Sequence, residues 1–411
     1  MDERSLLGEL RWVLLVMLAC TAACALDTGA IAGRTGAGAR DAAAAPQQGP
    51  NDAGVAGPDA GDGSSSTTDT PDAAAPRPDA YLPDSAVAVP AAPPTNIMIV
   101  GDSITQGSAG DFTWRYRLDK QLRAAGARFD LVGTRDDLFD NVENVQGSQA
   151  YADRDFDRDH DAVWGGSLQE VQTHIREDVL ATKTNVLLVL LGTNDLTYFT
   201  DAPHSEQNLR VLIENARAAN EQVSFVLGRV LPKRGADAAF VAAALDLNTR
   251  FGTVASELGS ARSPIVIADT DEGYDSTLDS YNGVHPNASG EQRIAAAFSD
   301  ALSAALHIGA PVARPLPAVP IGPQTAPSLQ LTALDRAATL SWTTAPGATG
   351  YYIWMRNATL GESSSRLPFP VKSPWTATEL TNGTSYEFRV QPTKWDAAGV
   401  LSVPVSVVPS P

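Results

Sequence analysis

Residues 96–107 read NIMIVGDSITQG. An unbroken apolar run ends at Val100, and Gly101-Asp102-Ser103 follows at once. A strand covered on both faces reads as such a continuous run instead of an alternating one. The same sign returns at residues 129–132, 186–191, 223–230 and 264–268. Between these runs lie segments of helical period. In 113–125, Trp114, Leu118 and Leu122 recur every fourth residue, and Gly126 is a C-terminal stop. In 206–220, Leu209, Leu212, Ile213 and Ala216 form one stripe, and 240–258 and 291–306 are further helices, Ile294, Phe298 and Leu302 lining the last. Five strands interleaved with helices predict a three-layer α/β/α domain around a five-stranded parallel sheet. The site of such a sheet lies at the carboxyl ends of its strands.

Polar blocks stand at those ends. Gly101-Asp102-Ser103-Ile104-Thr105-Gln106-Gly107 follows the first run and Gly192-Thr193-Asn194-Asp195 follows the third. Trp164-Gly165-Gly166-Ser167-Leu168 lies between them, and Asn282-Gly283-Val284-His285-Pro286-Asn287 precedes the last helix. In order and spacing these blocks resemble those of the SGNH (GDSL) hydrolase superfamily. The stretch 101–118, GDSITQGSAGDFTWRYRL, is similar to the branch holding acetyl xylan esterases of the third carbohydrate esterase family. The resemblance covers residues 95–308, about half of the chain. It implies a flavodoxin-like fold and an esterase that works through an acyl-enzyme. No cofactor or metal is expected, and no phosphate loop or nucleotide fingerprint is present in the sequence.

Ester cleavage needs a nucleophile, a base and donors for the oxyanion. Ser103, at a tight turn after the first strand, is the candidate nucleophile; a serine there otherwise caps a helix. The sequence around it is not a G-x-S-x-G elbow, so the α/β-hydrolase fold does not follow. Of the histidines, only His285 stands in a Gly-Val-His-Pro-Asn setting beside a helix start, unlike His160, His174, His204 and His307. The resemblance makes it the base. It also implies the oxyanion donors: the backbone N–H groups of Ser103 and Gly165, and the side-chain amide of Asn194. Family members usually follow the functional glycine with an aromatic residue, and Gly166 departs from that pattern. Asp102 and Asp195 read as structural acceptors. The largest departure is Asn282, where the family usually has the aspartate that orients the histidine. In a serine protease triad that exchange lowers turnover about 10⁴-fold, mainly through the wrong tautomer. Three readings stay open: Asn282 orients His285 through its amide oxygen, a backbone carbonyl or Asp275 or Asp279 takes over, or the enzyme is impaired.

Two acidic segments remain. Asp269, Asp271 and Asp275 follow the fifth run but lack the twelve-residue loop pattern of a calcium site, and read as solvated loop acids. Residues 151–161, YADRDFDRDHD, alternate acid and arginine and predict a self-paired insert near the cleft, with Arg154 or Arg158 as alternative substrate contacts. The polar residues near the blocks, Arg115, Arg117, Asp153 and Arg154, favour a sugar over a lipid substrate.

The flanks set the context. Residues 1–24 read as an export signal: Arg11, a short apolar run from Trp12 to Ala19, then small residues. Met17-Leu18-Ala19-Cys20 resembles a lipobox, so membrane anchoring through a lipidated Cys20 stands beside free secretion. Cys20 and Cys24 are the only cysteines, which excludes a disulfide framework and a cysteine nucleophile in the folded part. Residues 25–94, rich in Ala, Gly, Pro, Asp and Ser, bury too little apolar surface to fold and read as a tether. The net charge of −18, with 48 acidic against 30 basic residues, gives no electrostatic footing for nucleic acid. Residues 309–327 form a proline-rich linker. In 328–411 short strand signals dominate, separated by turn residues. This tail resembles a fibronectin type III sandwich, with Tyr386 as its tyrosine corner. Its aromatics Tyr351, Tyr352, Trp354, Trp375 and Trp395 read as core, or alternatively as a sugar-stacking face. A spacer or cell-surface contact is the expected role.

Overall fold

The computed structural model describes residues 93–411. The expected leader with Cys20, and the tether up to residue 92, lie outside the described residues. A central parallel sheet is built from β1 (Thr95–Gly101), β2 (Phe129–Val132), β6 (Val186–Leu190), β7 (Ser224–Gly228) and β8 (Ile265–Ala268), in the order β2-β1-β6-β7-β8. The chain leaves β1 first to one side and later returns to the other. The switch point therefore lies between β1 and β6, where open α/β sheets carry their sites.

Each continuous apolar run splits by period two between two cores. Met98 and Val100 face one side of β1, and Ile97 and Ile99 the other. The first core is covered by α3 (Leu168–Val171), α4 (Ile175–Thr182), α5 (Ala202–Ala219) and α6 (Ala238–Leu258). The second is covered by α2 (Trp114–Ala124) and α7 (Ala288–Leu306), where Trp114 stacks on Phe298 at 4.8 Å. Burying a side chain such as Leu188, with no exposure at all, contributes roughly 1.5–3 kcal/mol. The helix expected at 206–220 starts four residues earlier, because Asp201 caps it by accepting from the His204 N–H. Pro203 fits in that first turn, where its missing N–H costs nothing. The last helix likewise gains a turn from its cap, Asn287.

Short elements not foreseen complete the domain. β5 (Asp161–Ala162) pairs with the carboxyl end of β1, so the sheet has six strands instead of five. β3 (Leu138–Asp140) and β4 (Val145–Ser148) form a separate hairpin. After residue 328 the chain is β-rich. One sheet holds β9 (Leu329–Leu334), β10 (Ala337–Trp342) and β13 (Trp375–Ala377). The other holds β11 (Gly350–Asn357), β12 (Ser365–Arg366), β14 (Tyr386–Lys394), β15 (Ala397–Ala398) and β16 (Val405–Val407). Leu340, Trp342, Tyr351, Ile353, Phe388 and Val390 lie in the core of this region. β14 runs on to Lys394 and turns into β15. Among the described residues no helix is long and apolar enough to cross a membrane.

Candidate active site

β1 ends at Gly101, where a Cβ would come within 2.1 Å of Thr105 Oγ1, so only glycine permits the chain to fold directly into the next turn. That turn is α1 (Ser103–Gln106), capped by Asp102, whose carboxylate accepts from the Ile104 N–H at 2.9 Å. Ser103 is thereby the first residue of the turn, and its Oγ lies 3.0 Å from His285 Nε2. His285 is delivered by the loop before α7. Asn287 holds this loop by accepting from the Ser289 and Gly290 N–H groups and donating to the carbonyls of Leu278 and Ser280.

On the far side of the imidazole stands Asn282. Its Oδ1 accepts from the backbone N–H groups of Val284 and His285, at 3.2 and 2.9 Å, and lies 3.2 Å from His285 Nδ1. Its Nδ2 lies 3.0 Å from the same ring nitrogen. The backbone bonds identify the oxygen, which is the atom able to accept an Nδ1 proton. Asp279 does not take over: its carboxylate pairs with Arg293 at 2.8 Å and accepts from Ser289 Oγ and the Asp275 N–H. Asp275 caps the Thr277 N–H instead.

Two cross-links tie the turn that carries Gly165 to the turn that carries Ser103. The Val163 N–H donates to the Gly101 carbonyl and the Trp164 N–H to Gln106 Oε1, which seats the Trp164–Gly166 turn against the Ser103 turn. Asn194 Nδ2 donates to the Gly166 carbonyl at 3.0 Å, and Asp195 accepts from the Leu168 N–H at 3.1 Å. Gly165 has φ +86 with open space where a Cβ would stand, a conformation that suits glycine. Among the described residues, the Ser103 and Gly165 N–H groups have no protein acceptor. Gln106, which also binds Asp137 and Gln146, was not singled out in the sequence. Its place in the block GDSITQG was the available signal.

The surroundings shift the charges. Burial, and then the Lys394 ammonium, push His285 down to about 3. Burial, with the Asp195 carboxylate adding to it, raises Asp102 to about 7. Burial likewise raises Glu291, against the pull of Arg117 and Lys394. Four rings run nearly parallel across the site. Phe139 stacks on Trp164 at 4.7 Å, Trp164 on His285 at 4.7 Å, and His285 on Trp395 at 5.0 Å. The space beside Ser103, bounded also by Ile104, Gly107 and Trp164, is about 10 Å³, room for about one water-sized group.

Other expectations fare differently. Arg115 does not face the cleft: it is fully buried and donates to the carbonyls of Thr105, Gln106 and Arg158. Arg117 pairs with Glu291, so neither arginine supplies a polar cleft wall. The 151–161 insert is not self-paired. Its acids reach out to Tyr116, Lys120, Arg123 and the Leu131 N–H, and Arg158 pairs with Asp136. Asp269 pairs with Arg229, and the three acids at 269–275 do not gather. Among the described residues, the one trio able to hold an ion is Asp161, His174 and Asp178. Tyr351 is core, whereas Trp395 is at the site.

Residues 99–293 match the GDSL-like Lipase/Acylhydrolase family. No curated protein matches the chain. Among solved structures the chain is similar to a carbohydrate esterase family 3 protein from Talaromyces cellulolyticus, at 29% identity over 50% of this chain and 94% of that one, with a TM-score of 0.42. It is also similar to an acetyl esterase mutant with acetate ion, at 28% identity over 49% and 92%, TM-score 0.41. A Clostridium thermocellum family 3 carbohydrate esterase matches at 21% identity over 52% and 97%, TM-score 0.43.

Proposed function

We propose that this chain, a carboxylic ester hydrolase similar over residues 99–293 to the GDSL-like Lipase/Acylhydrolase family, is an exported serine esterase that removes O-acetyl groups from carbohydrate. The observation that carries the reading is the 3.0 Å contact of Ser103 Oγ with His285 Nε2, beside two backbone N–H groups without protein acceptors.

In this mechanism His285 Nε2 takes the Ser103 proton as Oγ attacks the acyl carbon. The carbonyl oxygen, now an oxyanion, is held by the N–H groups of Ser103 and Gly165 and by the Asn194 amide. His285 then protonates the leaving alcohol oxygen, and the alcohol departs. Water, deprotonated by the same nitrogen, hydrolyses the acyl-enzyme and releases the acid. Throughout, Nδ1 must keep its proton, donating it as a hydrogen bond to the Asn282 oxygen.

Export rests on the leader of residues 1–24, by secretion or through lipidated Cys20. The tail is read as a fibronectin type III sandwich. Tyr386 supports this, since its hydroxyl accepts from the Thr381 N–H at 3.1 Å, five residues upstream, as a tyrosine corner does. Covalent labelling by a fluorophosphonate tests the mechanism: the wild-type chain takes up one label, and Ser103→Ala takes up none. An unlabelled wild type contradicts it.

A further inference from the structure

The β-rich tail reaches the ester site. Thr349 Oγ1 donates to the Ala109 carbonyl at 2.8 Å, and Lys372 pairs with Asp140 at 3.0 Å. Gly110, at φ +88, leaves no room for a Cβ, which would meet the Ala348 carbonyl at 2.2 Å. Deepest of these contacts is Lys394, the last residue of β14. It is fully buried, pairs with Asp111 at 2.8 Å and donates to Ser108 Oγ. Ser108 and Asp111 belong to the loop that leaves the nucleophile turn. The next residue, Trp395, is half-buried and lies parallel to the His285 ring, with 5° between the planes.

The backbone at Trp395 is a second, independent sign. Thr393 and Lys394 of β14 pair with Ala398 and Ala397 of β15, so Trp395 and Asp396 alone form the hairpin turn. Trp395 has φ +50, at a position where such turns favour glycine, asparagine or aspartate. A bulky side chain held there is strained, and strain of this kind gathers at functional sites.

We propose that Trp395 is the wall against which the leaving group of the ester stacks, so that the tail supplies the alcohol subsite and the preceding domain supplies the acyl subsite. The chemistry fixes the side. His285 must hand its proton to the leaving oxygen, so the alcohol lies next to the imidazole, and the oxyanion donors lie with the acyl carbon. Trp164 and Trp395 both stack on that imidazole and so border the alcohol, Trp395 being the one that the tail contributes. Its flat face suits a pyranose ring, whose apolar C–H face packs on indole, or an aryl alcohol. The proposal rests on the serine-esterase reading and adds to it the residue that selects the alcohol.

The test compares the full-length wild type with Trp395→Gly, Trp395→Phe and Ser103→Ala on two acetates, a fully acetylated xylobiose and ethyl acetate. Trp395→Gly relieves the turn and deletes only the ring. Its kcat/KM falls about tenfold more on the sugar ester than on ethyl acetate, mostly through KM. Trp395→Phe restores most of the loss, and the melting temperature of Trp395→Gly is no lower than that of wild type. Equal losses on both esters, or no loss on either, overturn the subsite while leaving Ser103→Ala inert and the esterase reading intact. A wild type inert on both esters overturns that reading and the subsite with it.

Discussion

At the residue scale the proposed mechanism turns on one amide. A carboxylate at position 282 would both hold the Nδ1 proton and offset the positive imidazolium. Asn282 does only the first, through an oxygen 3.2 Å from Nδ1. Its nitrogen, at 3.0 Å, favours the opposite tautomer. Asn282→Asp therefore raises kcat, by about tenfold or more given the size of the reverse effect in serine protease triads. Steady-state rates on an aryl acetate check this. Burial, and then the Lys394 ammonium, hold the His285 pKa at about 3. The base must be neutral to act, and it is neutral above its pKa. The acid limb of kcat/KM thus falls well below the ordinary histidine value of about 6.5, and Asn282→Asp moves it upward. Stability follows the opposite sense. Below about pH 6.5 the unfolded chain takes up a proton that folded His285 refuses, so this group costs stability as pH falls toward 3. A pH–rate profile with its limb near 6.5 in the wild type would contradict the assignment.

At the element scale the site is a set of strand and helix ends. Asn287 makes the point: it caps α7 and also ties down the loop that carries His285. Asn287→Ala removes the cap and leaves two carbonyls without their donor, at a cost of about 2 kcal/mol in denaturant unfolding. Because the loop loosens, kcat falls as well. Unchanged kcat would show that the histidine loop is held elsewhere. Most of these elements were legible in the sequence. The continuous apolar runs marked the strands, Ser103 and Asn194 stood where runs stopped, and His285 stood just before the last helix. The two-residue strand β5 was not legible, since two residues carry no period. Yet β5 seats the turn bearing Gly165 beside Ser103. Arg115 misled for a related reason. An arginine among polar neighbours reads as surface, and the three carbonyls and the Tyr151 hydroxyl facing its guanidinium make burial tolerable.

At the scale of the whole molecule, the tail and the domain before it meet at charged groups out of water. Lys394 sits against Asp111, with Glu291 and Arg117 close by. Lys394→Met leaves the Asp111 carboxylate facing this interface without its cation, and breaking such a buried pair costs about 3–5 kcal/mol. The double variant Lys394→Met/Asp111→Asn recovers a good part of that loss. Chemical denaturation of the full-length chain measures both, and simple additivity of the two changes would mean that the pair is not coupled. Nothing in local sequence pattern forecast this contact, because residues 394 and 111 are brought together only by tertiary packing. The most direct measurement of the central claim is acetate release from acetylated xylan by the full-length chain and by Ser103→Ala. The account predicts steady release by the wild type and none by the variant. Release that survives Ser103→Ala, or a wild type silent on both xylan and a simple aryl acetate, would contradict it.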